Sequence, residues 1–336
     1  MYETKYHTQD LSQLSFLITG GAGFIGSNIV EYLLKNGAKK VRVLDNLATG
    51  RKQNLKSFLS NPTFEFIQGD ICDLNVCRQA CGGIDFVSHQ AALGSVPRSI
   101  NEPWNTNNVN AGGFVNMLTA AKDAGVKKFV YASSSSVYGD EKTLPKVESK
   151  IGNPLSPYAV SKLTNELYAD VFHKVYNLNV LGLRYFNIFG TKQDPNGQYA
   201  AVIPLFVSKI LKREEVFIDG DCEQTLDFTF VENAVQANIK SFFADNKTTS
   251  GQVFNIAVGE NFSVNFLYSE IQKLLASNHP ATYRAERAGD VKNSLADISK
   301  AKSKLGYNPQ FNFEKGLAIT VEYFRKAIAN TDSRIG

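Results

Sequence analysis

The feature that most constrains the fold of this chain is a regular alternation of two hydrophobic patterns over its first half. Short runs rich in β-branched and aromatic residues are separated by longer segments with apolar residues at i, i+3, i+4 and i+7, such as SNIVEYLLKNG and GFVNMLTAAKDAG. The runs span residues 15–20, 40–46, 64–70, 85–92, 127–136 and 178–187. Strands that alternate with helices form βα units, so the pattern predicts an α/β fold built on a doubly wound parallel sheet.

The alternation ends at about Gln193, where isolated patterns such as EVFIDG and LDFTFVENAVQANIKSFF replace it. We therefore predict three parts: an N-terminal tail or cap (1–14), a sheet domain (15–190) and a smaller mixed α/β C-terminal substrate domain (191–336). Some segments of the last part are expected to return to the sheet. A chain of 336 residues is long enough for one large or two medium domains.

Composition excludes several other classes of protein. A hydrophobic content of 43% and a charged content of 20% are ordinary for a globular protein, and a formal charge of +4 is too small to indicate nucleic-acid binding. No apolar run is long enough to span a membrane, and the start MYETKYHTQD is too polar for a signal peptide. The cysteines Cys72, Cys77, Cys81 and Cys222 have no metal-binding spacing. We expect a cytoplasmic protein with free thiols, no metal, and no membrane or nucleic-acid partner.

A glycine-rich loop follows the first predicted strand. The stretch LITGGAGFIGSNI has Gly20, Gly23 and Gly26 in the spacing GxxGxxG and leads into an amphipathic helix. Glycine permits a tight turn there and lets backbone N–H groups approach a pyrophosphate at the positive end of the helix. The loop in this context indicates a Rossmann-type dinucleotide-binding domain.

The ends of the next two predicted strands favour NAD as the dinucleotide. The second strand ends in Asp45, whose carboxylate would accept hydrogen bonds from the adenine ribose and repel a 2′-phosphate. Arg51 lies a few residues further on and weakens that preference. Asp70 and Ile71, after the third strand, are expected beside the adenine.

A serine cluster and a Tyr-Lys pair provide candidate catalytic groups. The fifth predicted strand ends in ASSSSVYG, and SPYAVSK follows about twenty residues later. Tyr158 and Lys162 are four residues apart, so they share a helix face, and an ammonium near a phenol favours the phenolate. A YxxxK spacing alone is also common on ordinary helix surfaces. Ligands of doubly wound sheets bind at the carboxyl ends of the strands, so the serine cluster and the glycine loop favour the catalytic interpretation.

These three motifs together resemble those of the extended short-chain dehydrogenases/reductases. From about Phe16 to Tyr323 the chain looks like their sugar-nucleotide 4-epimerases. The longer strings SVPRSINEP, LPKVES, GNPLSPYAVSK, LRYFNIFG, QDPNGQYAAVIP and GDVKNSLADISKA resemble bacterial UDP-N-acetylglucosamine 4-epimerases. These strings are much more specific than the generic motifs.

The resemblance implies a role for each catalytic residue. Tyr158, as the phenolate, would take the proton from the sugar 4-hydroxyl while NAD⁺ oxidises C4. Lys162 and the positive nicotinamide would lower the pKa of Tyr158 towards the working pH. Ser134 matches the serine that hydrogen-bonds the 4-oxygen, and Ser135 and Ser136 would contact the sugar or help transmit the proton.

The expected contacts with cofactor and substrate extend around these motifs. We expect NAD to contact Gly20, Gly23, Phe24, Ile25, Gly26, Asp45, Asn46, Thr49, Gly50, Asp70, Ile71, Gln90, Ala91, Ala92, Tyr158, Lys162 and Tyr185. We expect the UDP-sugar to contact Gly94, Ser95, Arg98, Ser134, Ser135, Ser136, Tyr158, Asn187, Gln193, Ala201, Val202, Val216, Phe217, Gln224, Arg287, Asp290 and Ser294. Within this set the resemblance assigns Arg287 and Asn187 to the diphosphate, and Ala201, Val202 and residues 216–218 to the uridine.

Two positions bear on substrate choice. The family usually has an arginine before the DF or DY of the segment that reads EQTLDF here, but this chain has Leu226. An expected phosphate contact is therefore missing, and either Gln224 or a nearby lysine compensates or UDP binds more weakly. In the family the position of Ser294 limits the room beside the C2 substituent, and serine leaves space for an acetamide where tyrosine would not.

The resemblance therefore implies NAD-dependent, reversible C4 epimerisation of UDP-GlcNAc and UDP-GalNAc, with UDP-glucose and UDP-galactose as further substrates. A UDP-uronate 4-epimerase or decarboxylase stays open, because Arg98 could meet a carboxylate. A nucleotide-sugar 4,6-dehydratase is disfavoured, because Ser135 and Ser136 stand where that family carries an acid and a base. The resemblance also implies a homodimer formed by the helices 109–125 and 161–176.

Overall fold

The computed structural model of the chain describes residues 1–196, 200–220, 224–285 and 293–332, with side chains through residue 329 in the last range. The strands are β1 (Ser15–Thr19), β2 (Lys40–Asp45), β3 (Phe64–Gln68), β4 (Phe86–His89), β5 (Lys128–Ser134), β6 (Val180–Tyr185), β7 (Ile188–Phe189), β8 (Val216–Asp219), β9 (Thr225–Leu226), β10 (Thr229–Phe230), β11 (Gln252–Ile256), β12 (Phe262–Ser263) and β13 (Ala281–Arg284). The helices are α1 (Phe24–Lys35), α2 (Leu74–Cys81), α3 (Val96–Asn101), α4 (Pro103–Asn107), α5 (Gly113–Asp123), α6 (Pro157–Tyr176), α7 (Val202–Lys212), α8 (Val231–Phe243), α9 (Asn246–Thr249), α10 (Val264–Leu275), α11 (Ser299–Leu305) and α12 (Phe313–Asp332).

A seven-stranded parallel sheet forms the centre of the molecule. Its strand order is β11-β6-β5-β4-β1-β2-β3. Each of the six predicted strand runs contains one of the strands β1 to β6. The order reverses between β1 and β4, as it does in doubly wound folds, so the predicted fold class is confirmed.

Helices cover both faces of this sheet. On one face α1 and α8 contribute buried side chains such as Ile29 and Ile239 to the core. On the other face α2, α5 and α6 contribute side chains such as Met117 and Phe172. Because both faces are buried, the strands are apolar almost throughout rather than alternating with polar residues.

The C-terminal half contributes to both parts of the molecule. Three two-stranded sheets, β7 with β10, β8 with β13 and β9 with β12, pack with α7, α10 and α12 around an aromatic core. However, β11 extends the central sheet beside β6, and α8 and α11 pack against that sheet layer. The chain therefore returns to the central sheet after entering the smaller part.

The N-terminal segment is packed as a cap rather than left as a free tail. Tyr2, Tyr6 and Leu11 are buried, and the Tyr2 hydroxyl donates to Asn28 Oδ1 in α1 at 2.6 Å. The Tyr6 hydroxyl donates to Glu232 Oε1 in α8 at 3.0 Å. The aromatic side chains of this polar-looking segment anchor it across both helices.

In the described ranges no helix is both long and apolar enough to cross a membrane. The same residues contain no cluster of three His, Cys, Asp or Glu side chains that could hold a metal ion. Cys72, Cys77 and Cys81 are free thiols, and Cys222 lies outside the described residues.

Candidate active site

A cleft of about 620 Å³ lies at the carboxyl ends of the central strands. Its wall includes the glycine loop, the end of β5 and the first turns of α6. Among its lining residues are Gly20, Gly23, Phe24, Ile25, Gly26, Asp45, Asn46, Thr49, Gly50, Asp70, Ile71, Gln90, Ala91, Ala92, Ser134, Tyr158, Lys162 and Tyr185. One cleft thus gathers the residues expected to contact the cofactor, and their roles in binding it stay predictions.

The glycine loop has the geometry that a pyrophosphate site requires. Gly20 has a φ of +66°, and a Cβ built there would lie 2.7 Å from the backbone nitrogen of Ala91. Helix α1 starts at Phe24, and its N-cap residue Gly23 has no side chain to cover the first amides of the helix. Since those amides carry the positive end of the helix dipole, the loop fits a dinucleotide pyrophosphate.

Asp45 and Asp70 are held by backbone amides at the ends of β2 and β3. Asp45 Oδ2 accepts the N–H of Ala22 at 2.9 Å, its Oδ1 accepts the N–H of Leu47 at 2.7 Å, and burial raises its pKa. Burial alone would raise the pKa of Asp70 as well, but hydrogen bonds from the Cys72 amide and from Asn46 lower it below its usual value. Both carboxylates therefore have fixed positions at one end of the cleft.

The serine cluster and the Tyr-Lys pair meet at the other end. Ser134 is the last residue of β5, and Tyr158 is the second residue of α6, which Ser156 caps by accepting the Ala159 N–H. The Ser134 hydroxyl hydrogen-bonds the Tyr158 hydroxyl. Lys162 Nζ donates to the carbonyl of Ala132 at 2.8 Å and lies 5.9 Å from the centre of the Tyr158 ring.

The electrostatics of this pair differ from the sequence-based expectation. Enclosure by protein raises the pKa of Tyr158, and the hydrogen bond with Ser134 lowers it only in part. Burial lowers the pKa of Lys162 to about 8. The Lys162 ammonium donates to the Ala132 carbonyl, and its charge is not among the causes that shift the pKa of Tyr158. The protein groups alone therefore raise the pKa of Tyr158, opposite to the direction expected from the Lys162 charge.

A buried ion pair that we did not predict lies behind the candidate catalytic residues. Arg184 of β6 binds Glu166 of α6 through two hydrogen bonds of 2.9 and 2.7 Å. Ser133, next to Ser134, donates to Glu166 Oε1 at 2.5 Å. Glu166 is one turn beyond Lys162, and that spacing is the sequence signal that could have identified it.

On the substrate side the cleft is lined by Gly94, Ser95 and Asn187. Asn187 Nδ2 donates to Ser294 Oγ at 3.2 Å, and the backbone N–H of Asp227 donates to the same oxygen at 3.2 Å. Ser294 is therefore buried one side chain behind the lining of the cleft.

Asp227 is a second residue that sequence reasoning missed. Its buried carboxylate accepts backbone N–H groups of Val258, Gly259 and Ala296 at 3.1 to 3.2 Å, while burial raises its pKa to about 7. These hydrogen bonds join the segment that contains Ser294 to the residues that follow β11. The sequence signal that could have identified Asp227 is its position directly after Leu226, where the family usually has an arginine.

The other substrate candidates that the structure describes are not among the residues that line this cleft. Ser135 and Ser136 follow Ser134 in a 3-10 turn, Arg98 is in α3, Gln193 follows β7, and Ala201 and Val202 are at the start of α7. Val216 and Phe217 are in β8, and Gln224 immediately precedes β9. Arg287 and Asp290 lie outside the described residues.

The surroundings of Leu226 are apolar. It is paired with Phe262 across β9 and β12 and packs against the aromatic core of the smaller part. Cations lie instead at Phe217, where the guanidinium of Arg284 is 4.1 Å and the ammonium of Lys209 is 5.2 Å from the ring centre.

Comparison with known proteins gives consistent matches over almost the whole chain. Residues 16–257 match the NAD dependent epimerase/dehydratase family. A protein of Methanocaldococcus jannaschii named putative UDP-glucose 4-epimerase is 36% identical, with 92% of this chain and 98% of that protein covered. A UDP-glucuronate 4-epimerase of Thermodesulfobacterium geofontis is 34% identical over 93% and 97% of the two chains. Among solved structures, a UDP-N-acetylglucosamine 4-epimerase of Methanobrevibacter ruminantium, in complex with UDP-N-acetylmuramic acid, is 40% identical with a TM-score of 0.88, covering 94% and 99%.

Proposed function

Because the chain belongs to the NAD dependent epimerase/dehydratase family, and within it to the UDP-sugar 4-epimerases, we propose that it interconverts UDP-GlcNAc and UDP-GalNAc. The reaction inverts C4 through a 4-keto intermediate without net oxidation. UDP-glucose and UDP-galactose are proposed as further substrates, since a pocket that holds an acetamide also admits a hydroxyl.

In the proposed mechanism Tyr158 takes the proton from the sugar 4-hydroxyl. Ser134, whose hydroxyl hydrogen-bonds Tyr158, holds the 4-oxygen. Because enclosure raises the pKa of Tyr158, the phenolate needs positive charge nearby, and Lys162 carries one below its pKa of about 8. Bound NAD⁺ supplies a further positive charge together with a reversible two-electron oxidation of the C4 carbinol.

The protein groups also have to hold the ketone intermediate while the sugar turns over. Asn187, which lines the cleft, is proposed to bind the diphosphate, as the resemblance implies. An anchored UDP lets the ring present its opposite face to the same Tyr158 and Ser134. Return of the abstracted hydride to the opposite face of C4, with the proton going back from Tyr158 to the 4-oxygen, would invert C4.

The observation that carries the choice of an acetylated substrate is the small side chain of Ser294. Its hydroxyl accepts two N–H groups, from Asn187 and from the Asp227 backbone, and these fix the side chain behind the lining of the cleft. A tyrosine there would have to displace Asn187 or extend into the space next to it. The resemblance to an epimerase that carries the UDP-GlcNAc name supports the same choice.

Ser294→Tyr tests this proposal, with Ser294→Ala as its matched control. We expect Ser294→Tyr to lose at least about 100-fold in kcat/KM for UDP-GlcNAc while retaining UDP-glucose turnover, because a steric block rejects the larger C2 substituent. Ser294→Ala should retain both activities, since it leaves the space open. Equal losses on the two sugars in Ser294→Tyr would contradict the role of Ser294, and failure of the wild-type protein to form UDP-GalNAc would contradict the proposed function.

Epimerisation of UDP-glucuronate is the second candidate. It is favoured by the relative named UDP-glucuronate 4-epimerase and by Arg98 in α3, whose segment also starts at the cleft-lining Ser95. Product analysis with UDP-GlcNAc and UDP-glucuronate in parallel distinguishes the two, because only the preferred sugar is expected to reach its equilibrium mixture at low enzyme concentration.

A further inference from the structure

A segment from the C-terminal half, residues 191–194, runs along the cleft at the end where Asp45 lies. Lys192 and Asp194 line the cleft there, together with Arg51 and Asn54 from the loop after β2. The segment is attached to α1, because Asn28 Nδ2 donates to the carbonyl of Thr191 at 3.2 Å. This hydrogen bond joins the segment to the helix that follows the glycine loop.

The backbone of Arg51 lies close to Asp45, the carboxylate expected to bind the adenine ribose. It directly follows Gly50, where a Cβ would lie 2.8 and 2.9 Å from the two carboxylate oxygens of Asp45. The Arg51 N–H donates to the carbonyl of Ala22 in the glycine loop at 3.0 Å. Arginine at this place is the side chain that a 2′-phosphate would select, because its guanidinium can bind a phosphate with two hydrogen bonds.

The carboxylate of Asp194 forms an ion pair with the guanidinium of Arg51. Its Oδ1 is 3.2 Å from Arg51 Nη2, and the same oxygen accepts the backbone N–H of Asn196 at 3.0 Å. The hydrogen bond from the chain's own backbone fixes the carboxylate, so Asp194 positions Arg51.

Lys192, the other cation that lines this end of the cleft, is also paired with an acid. Lys192 Nζ is 2.5 Å from Glu31 Oε2. Of the described cleft-lining residues, the cations near Asp45 are thus each paired with an acid, whereas Asp45 and Asp70 have only neutral hydrogen-bond donors. This end of the cleft therefore has excess negative charge.

We propose that Asp194 is a second determinant of dinucleotide choice, acting through Arg51. Asp45 disfavours a 2′-phosphate directly, and Asp194 holds the nearby arginine that could otherwise bind it. The Asp194–Arg51 ion pair thereby removes the contribution of Arg51 that weakens NAD selectivity. This inference rests on NAD as cofactor and not on the identity of the sugar, so it survives any outcome of the Ser294 experiment.

The test measures which dinucleotide the protein holds, not its activity. Purified protein is equilibrated with equimolar NAD⁺ and NADP⁺ until its bound fraction no longer changes, freed of unbound nucleotide and denatured, and the released dinucleotides are quantified by chromatography. The variants are Asp194→Asn, Asp194→Ala and the double variant Arg51→Met/Asp194→Asn. Asp170→Asn is the matched control, since Asp170 also forms an ion pair and is 40% exposed against 39% for Asp194.

We expect both single Asp194 variants to raise the bound NADP-to-NAD ratio about tenfold, the usual scale for one charge-assisted contact. The double variant and Asp170→Asn should give the wild-type ratio. An unchanged ratio in both Asp194 variants would overturn the proposal. The same increase in the double variant, or in Asp170→Asn, would also overturn it, because the effect would then not depend on Arg51 or on this site.

Discussion

Lys162 carries its charge in surroundings that disfavour it. The residue is 4% exposed, and burial lowers its pKa from 10.5 to about 8. At neutral pH the folded protein therefore holds a charge that would be more stable in the unfolded chain. Its hydrogen bond to the Ala132 carbonyl offsets only part of that cost. A lysine retained under such conditions is typical of a functional site.

We expect Lys162→Met to increase the free energy of unfolding at pH 7 by about 1–2 kcal/mol and to abolish epimerisation. The folded-state pKa is depressed below the unfolded one, so the cost of Lys162 is fully present below pH 8 and is relieved as pH rises towards 10.5. The gain from methionine should therefore shrink over that interval. Urea unfolding at several pH values measures it.

Lys174→Met provides the control for this experiment, because Lys174 is on the same helix with its side chain 68% exposed. It should change stability by less than about 0.5 kcal/mol at any pH. A destabilised Lys162→Met at pH 7, or a gain that grows with pH, would contradict the account of this residue.

Some contacts between residues could be predicted from local spacing in the sequence, and others could not. Tyr158 and Lys162 share a helix face because they are four residues apart, and the glycines of the loop follow directly from the motif. The contact of Asn187 with Ser294 and the ion pair of Arg51 with Asp194 join distant parts of the chain. No periodicity in the sequence encodes such pairs, so they required the structure.

Among the elements, α6 carries the proposed catalytic residues Tyr158 and Lys162, and a buried ion pair attaches it to the sheet. Glu166 of α6 and Arg184 of β6 form a buried ion pair with side-chain exposures of 8% and 3%. The Arg184 guanidinium also lies 4.9 Å from the Tyr138 ring centre. Because Ser133 contributes to the same cluster, the pair fixes α6 relative to the strand that ends in Ser134.

We therefore expect removal of one partner of the Arg184–Glu166 ion pair to destabilise the protein. We expect Arg184→Met to lower the free energy of unfolding by about 3–5 kcal/mol, because it leaves the Glu166 carboxylate buried without its cation. The double variant Arg184→Met/Glu166→Leu should recover most of that loss, since no buried charge remains. Equilibrium unfolding in urea checks both, and an Arg184→Met protein as stable as the wild type would contradict this role.

At the scale of elements, β1 to β6 were predictable because their hydrophobic runs are bounded by helix patterns. The position of β11 beside β6 could not be predicted. The parallel partner of a strand depends on where the chain returns to the sheet after a long connection. The strands β9 and β10 are short, and between them the carboxylate of Asp227 binds three backbone amides of other segments.

For the molecule as a whole, the outer face of α6 remains apolar. Val160, Leu167, Val171 and Val175 have relative exposures of 49–65% and recur at spacings that place them on one side of the helix. Such a stripe on a protein surface is typical of an interface. We propose that it forms the homodimer contact that the family resemblance implies.

We expect the protein in solution to have twice the 37.1 kDa mass of the chain. Leu167→Glu combined with Val171→Glu should give the monomer mass, because charges in an apolar interface are strongly disfavoured. Leu274→Glu, at an exposed position of α10, is the matched control and should remain dimeric. Light scattering after size-exclusion chromatography measures the mass, and a monomeric wild-type protein would contradict the proposed interface.

The central claim is that Tyr158 and Ser134 hold the 4-oxygen and exchange its proton, while bound NAD⁺ would supply the oxidation of C4 and the return of the same hydrogen to the other face. The most direct measurement follows UDP-GlcNAc deuterated at C4 by NMR during incubation with the protein in ordinary water. The account predicts UDP-GalNAc that retains its deuterium at C4, with no net reduction of NAD. Loss of the deuterium to solvent, or no UDP-GalNAc at all, would contradict it.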